Sequence, residues 1–180
     1  MYRFLEHASG IPWALVVRPA SVPKAVRDVG PWTPGIERPD SATNADVRRL
    51  VEVQGYCLIE HNCPRADLNR AEAEAGIASG RATAPSTALP ETAAPAPGDV
   101  LFFRHRDVPA FRAAVRSDER EALPGGEVRW DFARARSGSD TAPAVTAEIA
   151  ARRYALFRID GTVEQLTKRL QERVREGRGQ

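Results

Sequence analysis

An α/β or α+β fold, with a single mixed sheet of about five strands and helices following strands, is what this sequence predicts, and three observations carry the prediction. Short apolar runs rich in strand formers recur around residues 13–17, 57–60, 100–103 and 155–159, each too short for a helix. Each run is followed by a few polar residues and a helix start signal. A chain of 180 residues with 42% hydrophobic content is long enough to bury one sizeable core, so a single domain over 1–180 is expected.

The elements follow in order. Residues 13–17 (Trp-Ala-Leu-Val-Val) read as a buried strand, and Ser21-Val22-Pro23 then sets a capping hydroxyl ahead of a first-turn proline, predicting a helix to about residue 29. Residues 30–44 hold Pro31, Pro34, Gly35 and Pro39 and read as a loop leading into a helix over about 45–53. A strand over 57–60 precedes Asn62-Cys63-Pro64, where the proline fits the first turn of a helix reaching about residue 76. Residues 79–98, with Pro85, Pro90, Pro95 and Pro97 among Ala, Ser and Thr, read as an extended linker or loop.

The second half repeats the phrasing. A strand over 100–103 meets Asp107-Val108-Pro109, which reads as the start of a helix to about residue 116. A strand over 127–132, a break over 137–143 and a helical approach lead to the strand at 155–159. Thr162 and Gln165 fit a capping box that opens the last helix, 163–176, whose Val163, Leu166, Leu170 and Val174 form an apolar stripe. The recurring phrases share a pattern, and no long repeat shows by residue identity.

Charge narrows the partners. From residue 164 onward Lys168, Arg169, Arg173, Arg175 and Arg178 face Glu164, Glu172 and Glu176, which accounts for the formal net charge of +2. By this count the terminal helix is the basic face, with Arg169, Arg173 and Arg175 its binding residues and the one route to a nucleic acid. Only two of the basic residues, Lys24 and Lys168, are lysines, as a GC-rich genome would give. No apolar run reaches the roughly 20 residues of a membrane span and the N-terminus lacks a signal-peptide pattern, so no membrane association and a cytoplasmic location are expected.

Chemistry-bearing residues concentrate where strands end. In a parallel sheet those loops converge, which would bring Arg18, Arg104 and Asp160 together with Cys63 and His105. Cys63 at a helix N-terminus with His105 or His61 as base is a physically reasonable nucleophile pair, because the unpaired N–H groups favour the thiolate. Cys57, His61 and Cys63 match no structural zinc spacing, and no glycine-rich phosphate loop occurs, so neither metal nor cofactor is expected. Trp32, between Pro31 and Pro34, reads as an exposed aromatic on a contact surface.

Pro97-Gly98-Asp99-Val100-Leu101-Phe102-Phe103 resembles the turn and strand that NlpC/P60-type cysteine peptidases carry after their nucleophile, with Cys63 upstream at a helix start. Pro64-Arg65 stands where those enzymes have Ser-Gly, and no histidine follows His105, so the resemblance stops short of the family. The residues favour a non-catalytic protein-interaction or assembly module, self-association included. The alternative is a small cysteine-dependent hydrolase or transferase built on Cys63.

Overall fold

In a computed structural model the chain forms eight strands and five α-helices, described for residues 1–19, 22–76 and 95–178. The strands are β1 (Tyr2–His7), β2 (Trp13–Val17), β3 (Trp32–Arg38), β4 (Cys57–Glu60), β5 (Val100–His105), β6 (Phe111–Arg116), β7 (Trp130–Arg136) and β8 (Tyr154–Gly161). The helices are α1 (Lys24–Arg27), α2 (Ala45–Gln54), α3 (Arg65–Glu74), α4 (Pro143–Arg152) and α5 (Val163–Arg178). Among the described residues no helix is long and apolar enough to cross a membrane.

Two compact units result, Met1–His61 with Arg158–Gln180 and Asn62–Phe157. In the first, strands hydrogen-bond in the order β3-β1-β2-β4 followed by the second half of β8, every pair antiparallel. Helix α2 covers one sheet face, setting Val47 and Val51 on Tyr2, Val16 and Cys57. The other face takes Val26 of α1 and Leu166 of α5 on Trp13, Leu15 and Leu58. In the second unit the first half of β8 is followed by β6, β5 and β7, with β5 antiparallel to β6 and β7. There Leu68 of α3 packs on Leu101, Phe103, Trp130 and Leu156, and Val145 and Ile149 of α4 pack on Val100, Ala114 and Ala155. Each unit is a sheet with helices on both faces.

The chain is an internal duplication. Strands β1, β2 and β3 and helices α2 and α3 begin at Tyr2, Trp13, Trp32, Ala45 and Arg65, and β5, β6, β7, α4 and α5 each begin 98 residues later. Register repeats as well: Leu5 pairs Pro34 and Arg3 pairs Glu37, as Phe103 pairs Phe132 and Leu101 pairs Ala135, with the same bulge between the pairs. Thr43 and Thr141 each donate Oγ1–H to the carbonyl four residues back, at 3.0 Å. Gly55 and Arg153 end α2 and α4 in the left-handed conformation, at φ of 84° and 69°. The final helices are exchanged: α3 of the first repeat completes the second unit and α5 of the second repeat completes the first.

Several expectations change. The mixed α and β class is borne out, but eight strands replace about five, and the characterised pairings are antiparallel where a mixed or largely parallel sheet was expected. The helix expected after Pro109 is β6, because Asp107-Val108-Pro109 turns a hairpin in which the Phe111 N–H bonds the Val108 carbonyl at 2.9 Å. Strand β1 had no sequence signal singled out, and β3 lies inside the expected loop. Pro34 is tolerated there because β3 is the edge strand of its unit, and Gly35 is needed because a Cβ would stand 2.7 Å from the Phe4 carbonyl oxygen. The strand expected from residue 127 begins at Trp130 after a 3-10 turn. Ser21 and most of the 79–98 linker lie outside the described residues.

Candidate functional site

The thiol and imidazole groups are built into the core. Cys63 is 0% exposed inside the apolar cluster of the second unit, its N–H bonded to the Leu156 carbonyl at 2.8 Å. His105, also 0% exposed, has both ring nitrogens engaged: Nδ1 accepts from the Val108 N–H at 3.1 Å and Nε2–H donates to Glu72 Oε1 at 3.0 Å. Glu72 is tied in turn to Arg129. Burial holds the His105 pKa below the usual imidazole value, against the raising influence of the Glu72 bond. His61, in the first unit, is also lowered by burial, with Glu6 opposing. A His105 so bonded has no lone pair left to take a proton from Cys63.

The duplication explains His105. His7, its equivalent, is 5% exposed, with Nε2 bonded to the Val29 carbonyl at 2.9 Å and Nδ1 beside Ser9 Oγ at 2.8 Å. Each histidine meets the tryptophan that begins the third strand of its repeat edge-on, His7 on Trp32 at 5.0 Å and His105 on Trp130 at 4.8 Å. Each tryptophan donates Nε1–H to a carbonyl, of Val26 at 2.6 Å and of Pro124 at 2.9 Å. Trp32 is therefore a partly buried bracket rather than the exposed contact aromatic that its flanking prolines suggested.

The convergence expected of the strand-end residues does not occur within the first unit. Because β2 and β4 are antiparallel, Arg18 and His61 follow opposite ends of the sheet. Arg18 lies over the Tyr2 ring at 5.2 Å and bonds its hydroxyl at 3.2 Å, while Asp160 is an exposed position within β8. The Thr162 and Gln165 capping box is present, at 2.9 and 3.2 Å. The basic face of α5 is smaller than the sequence suggested. Arg169 bonds Glu60 at 3.0 Å, and Glu60, 2% exposed, also takes Arg158 at 2.6 Å, so Arg169 neutralises a buried carboxylate while Arg173 and Arg175 remain at the surface.

A second group of arginines lies elsewhere, on the α4 side of the second unit's sheet. Alternation puts Val100, Phe102 and Arg104 of β5, Arg112, Ala114 and Arg116 of β6, Arg134 and Arg136 of β7 and Phe157 of β8 on this face. Helix α4 covers the end with Val100, Ala114 and Ala155 and leaves Phe102 and Phe157 partly exposed, edge to face at 6.5 Å. Arg134 stacks on Phe102 with Cζ 5.1 Å from the ring centroid. Arg104 and Arg116 are exposed, whereas Arg112 is 5% exposed and bonds the Pro109 and Phe111 carbonyls. Asp131 opposite Arg104 engages Arg106 at 2.8 Å.

This face was missed in the sequence because a linear charge count averages it away; the alternating arginines of 104–106 and 134–136 were the signal, once both segments are known to be strands. The first unit keeps part of this face: Phe4, Arg18 and Arg38 hold the positions of Phe102, Arg116 and Arg136, whereas Glu6, Ala14, Ile36 and Ile59 hold those of Arg104, Arg112, Arg134 and Phe157. No protein-family model, curated protein or solved structure matches this chain.

Proposed function

We propose that this chain is a non-catalytic binding module that holds an anionic macromolecule on the α4-side sheet face of its second unit. The observation that carries the reading is the contrast between equivalent faces. Glu6 and Ile36 show that the repeat needs no arginine at these positions to fold, so Arg104 and Arg134 are additions beyond what the architecture requires, on a face whose Arg116 and Arg136 have Arg18 and Arg38 as their equivalents. Burial of Cys63 and the double engagement of His105 support binding over thiol chemistry. The assembly role suggested by the sequence keeps its form, with the contact moved from α5 to the sheet.

Salt elution from immobilised heparin tests the placement. Arg104→Glu with Arg116→Glu should lower the eluting salt concentration well below that of the parent, since each neutralised contact reduces the salt dependence. Arg173→Glu with Arg175→Glu should change it little. The reverse ranking returns the contact surface to α5.

A further inference from the structure

Resting on that reading, we infer that the anionic ligand is a single-stranded nucleic acid whose bases stack on Phe102 and Phe157. A surface made only for an acidic protein or a polyphosphate gains little from rings left partly open to solvent, because charge alone satisfies such partners. Here two partly exposed phenylalanines stand on β5 and β8 with β6 between them, and β6 contributes Ala114, 0% exposed and too small to stand between the rings. The result is a low platform with apolar rings at its centre. Arg134 stacked on Phe102 adds a planar cation to that platform. Exposed Arg104 and Arg116 lie on the same face, and Arg136 lies on the next strand, placed for phosphates.

Duplex nucleic acid does not fit this combination, since its bases stack on one another and present edges to a protein. A single strand leaves the base faces open to aromatic side chains. The first unit again serves as an internal contrast: Ile59, 8% exposed, stands where Phe157 stands, and Glu6 where Arg104 stands. Phe4, with Arg38 Cζ 5.7 Å from its ring centroid, keeps the place of Phe102, and Arg18 keeps that of Arg116, so what the second unit adds is the second ring, Phe157, together with Arg104 and Arg134.

The test is fluorescence anisotropy on the full chain at fixed salt, using a labelled oligo-dT and oligo-U, a duplex of equal length, heparin and polyglutamate. The single strands should bind about tenfold or more tighter than the duplex. Phe102→Leu and Phe157→Leu, which keep apolar volume, should each weaken single-strand binding by about fivefold or more while heparin binding stays unchanged. Equal affinity for single strand, duplex and heparin, with the leucine variants indistinguishable from the parent, would overturn the nucleic-acid inference and leave the basic-face reading standing. Tighter binding to polyglutamate would replace it with an acidic protein partner. Failure of the parent to bind any probe, or binding that survives Arg104→Glu with Arg116→Glu, would overturn both. Unchanged thermal unfolding of each variant shows that loss of binding is not loss of fold.

Discussion

His105 shows how a residue that reads as catalytic in sequence is made structural by two hydrogen bonds. Its Nδ1 accepts from a backbone N–H and its Nε2–H faces Glu72, so the neutral tautomer is the one the fold requires. Since burial lowers its folded pKa below the unfolded value near 6.5, the native state binds fewer protons than the unfolded chain between the two values. The stability tied to His105 is therefore present above about pH 6.5 and is lost as pH falls toward the folded pKa. Urea denaturation at pH 7.5 and 5.5 should show this loss in the parent. His105→Asn, which leaves Glu72 without its imidazole partner, should cost about 1–3 kcal/mol at the higher pH and flatten the pH dependence. An unaltered slope would assign the acid sensitivity to other groups, His61 first among them. The sequence showed that this histidine follows a strand; it held no sign of the Glu72 partner, which comes from a helix 33 residues away in the chain.

At the scale of elements, the sequence was most legible where a local signal agreed with burial. The capping box at Thr162, the helix over Ala45–Gln54 and the strands at Trp13–Val17 and Cys57–Glu60 belong to this class. It misled where local and tertiary preferences disagree. Strand β6 holds two alanines and two arginines, acceptable in a helix, yet five of its six residues are buried because both sheet faces are covered there. Helix α5 illustrates the same limit for charge. Its apolar stripe was legible and Leu166 is fully buried, but one of its arginines is committed to a carboxylate brought by β4. Arg169→Glu should accordingly destabilise the fold by about 1.5–3 kcal/mol or more, because it removes a charged hydrogen bond from nearly buried Glu60 and adds a second carboxylate beside it. Arg173→Glu and Arg175→Glu, at exposed positions, should stay within about 0.5 kcal/mol. Chemical denaturation of the three single variants measures the difference, and equal effects would mean that the Glu60 pair contributes nothing net.

For the whole molecule the governing fact is the duplication, which residue identity conceals and position reveals. Buried equivalents keep their apolar class more than their identity: Leu5 stands for Phe103, Trp13 for Phe111, Val51 for Ile149 and Cys57 for Ala155, while Leu58 and Leu156 or Leu68 and Leu166 are the same residue. A core tolerates such exchanges when volume and pattern persist, so two copies can share the starts of three strands and two helices and still look unrelated as text. The exchange of last helices then separates sequence position from structural membership. Leu68 and Leu166 are equivalent and both nearly inaccessible, at 1% and 0% exposure, but Leu68 packs with Leu101, Phe103 and Leu156, and Leu166 with Trp13, Leu15 and Leu58. Truncation of either to alanine should cost about 2–5 kcal/mol. The loss should appear in the half of the chain that did not supply the helix. Amide hydrogen exchange should rise in β1, β2 and β4 for Leu166→Ala, and in β5, β6 and β7 for Leu68→Ala. Faster exchange in β5, β6 and β7 for Leu166→Ala, with β1 and β2 unaffected, would mean that each repeat keeps its own last helix and that the exchange is wrong.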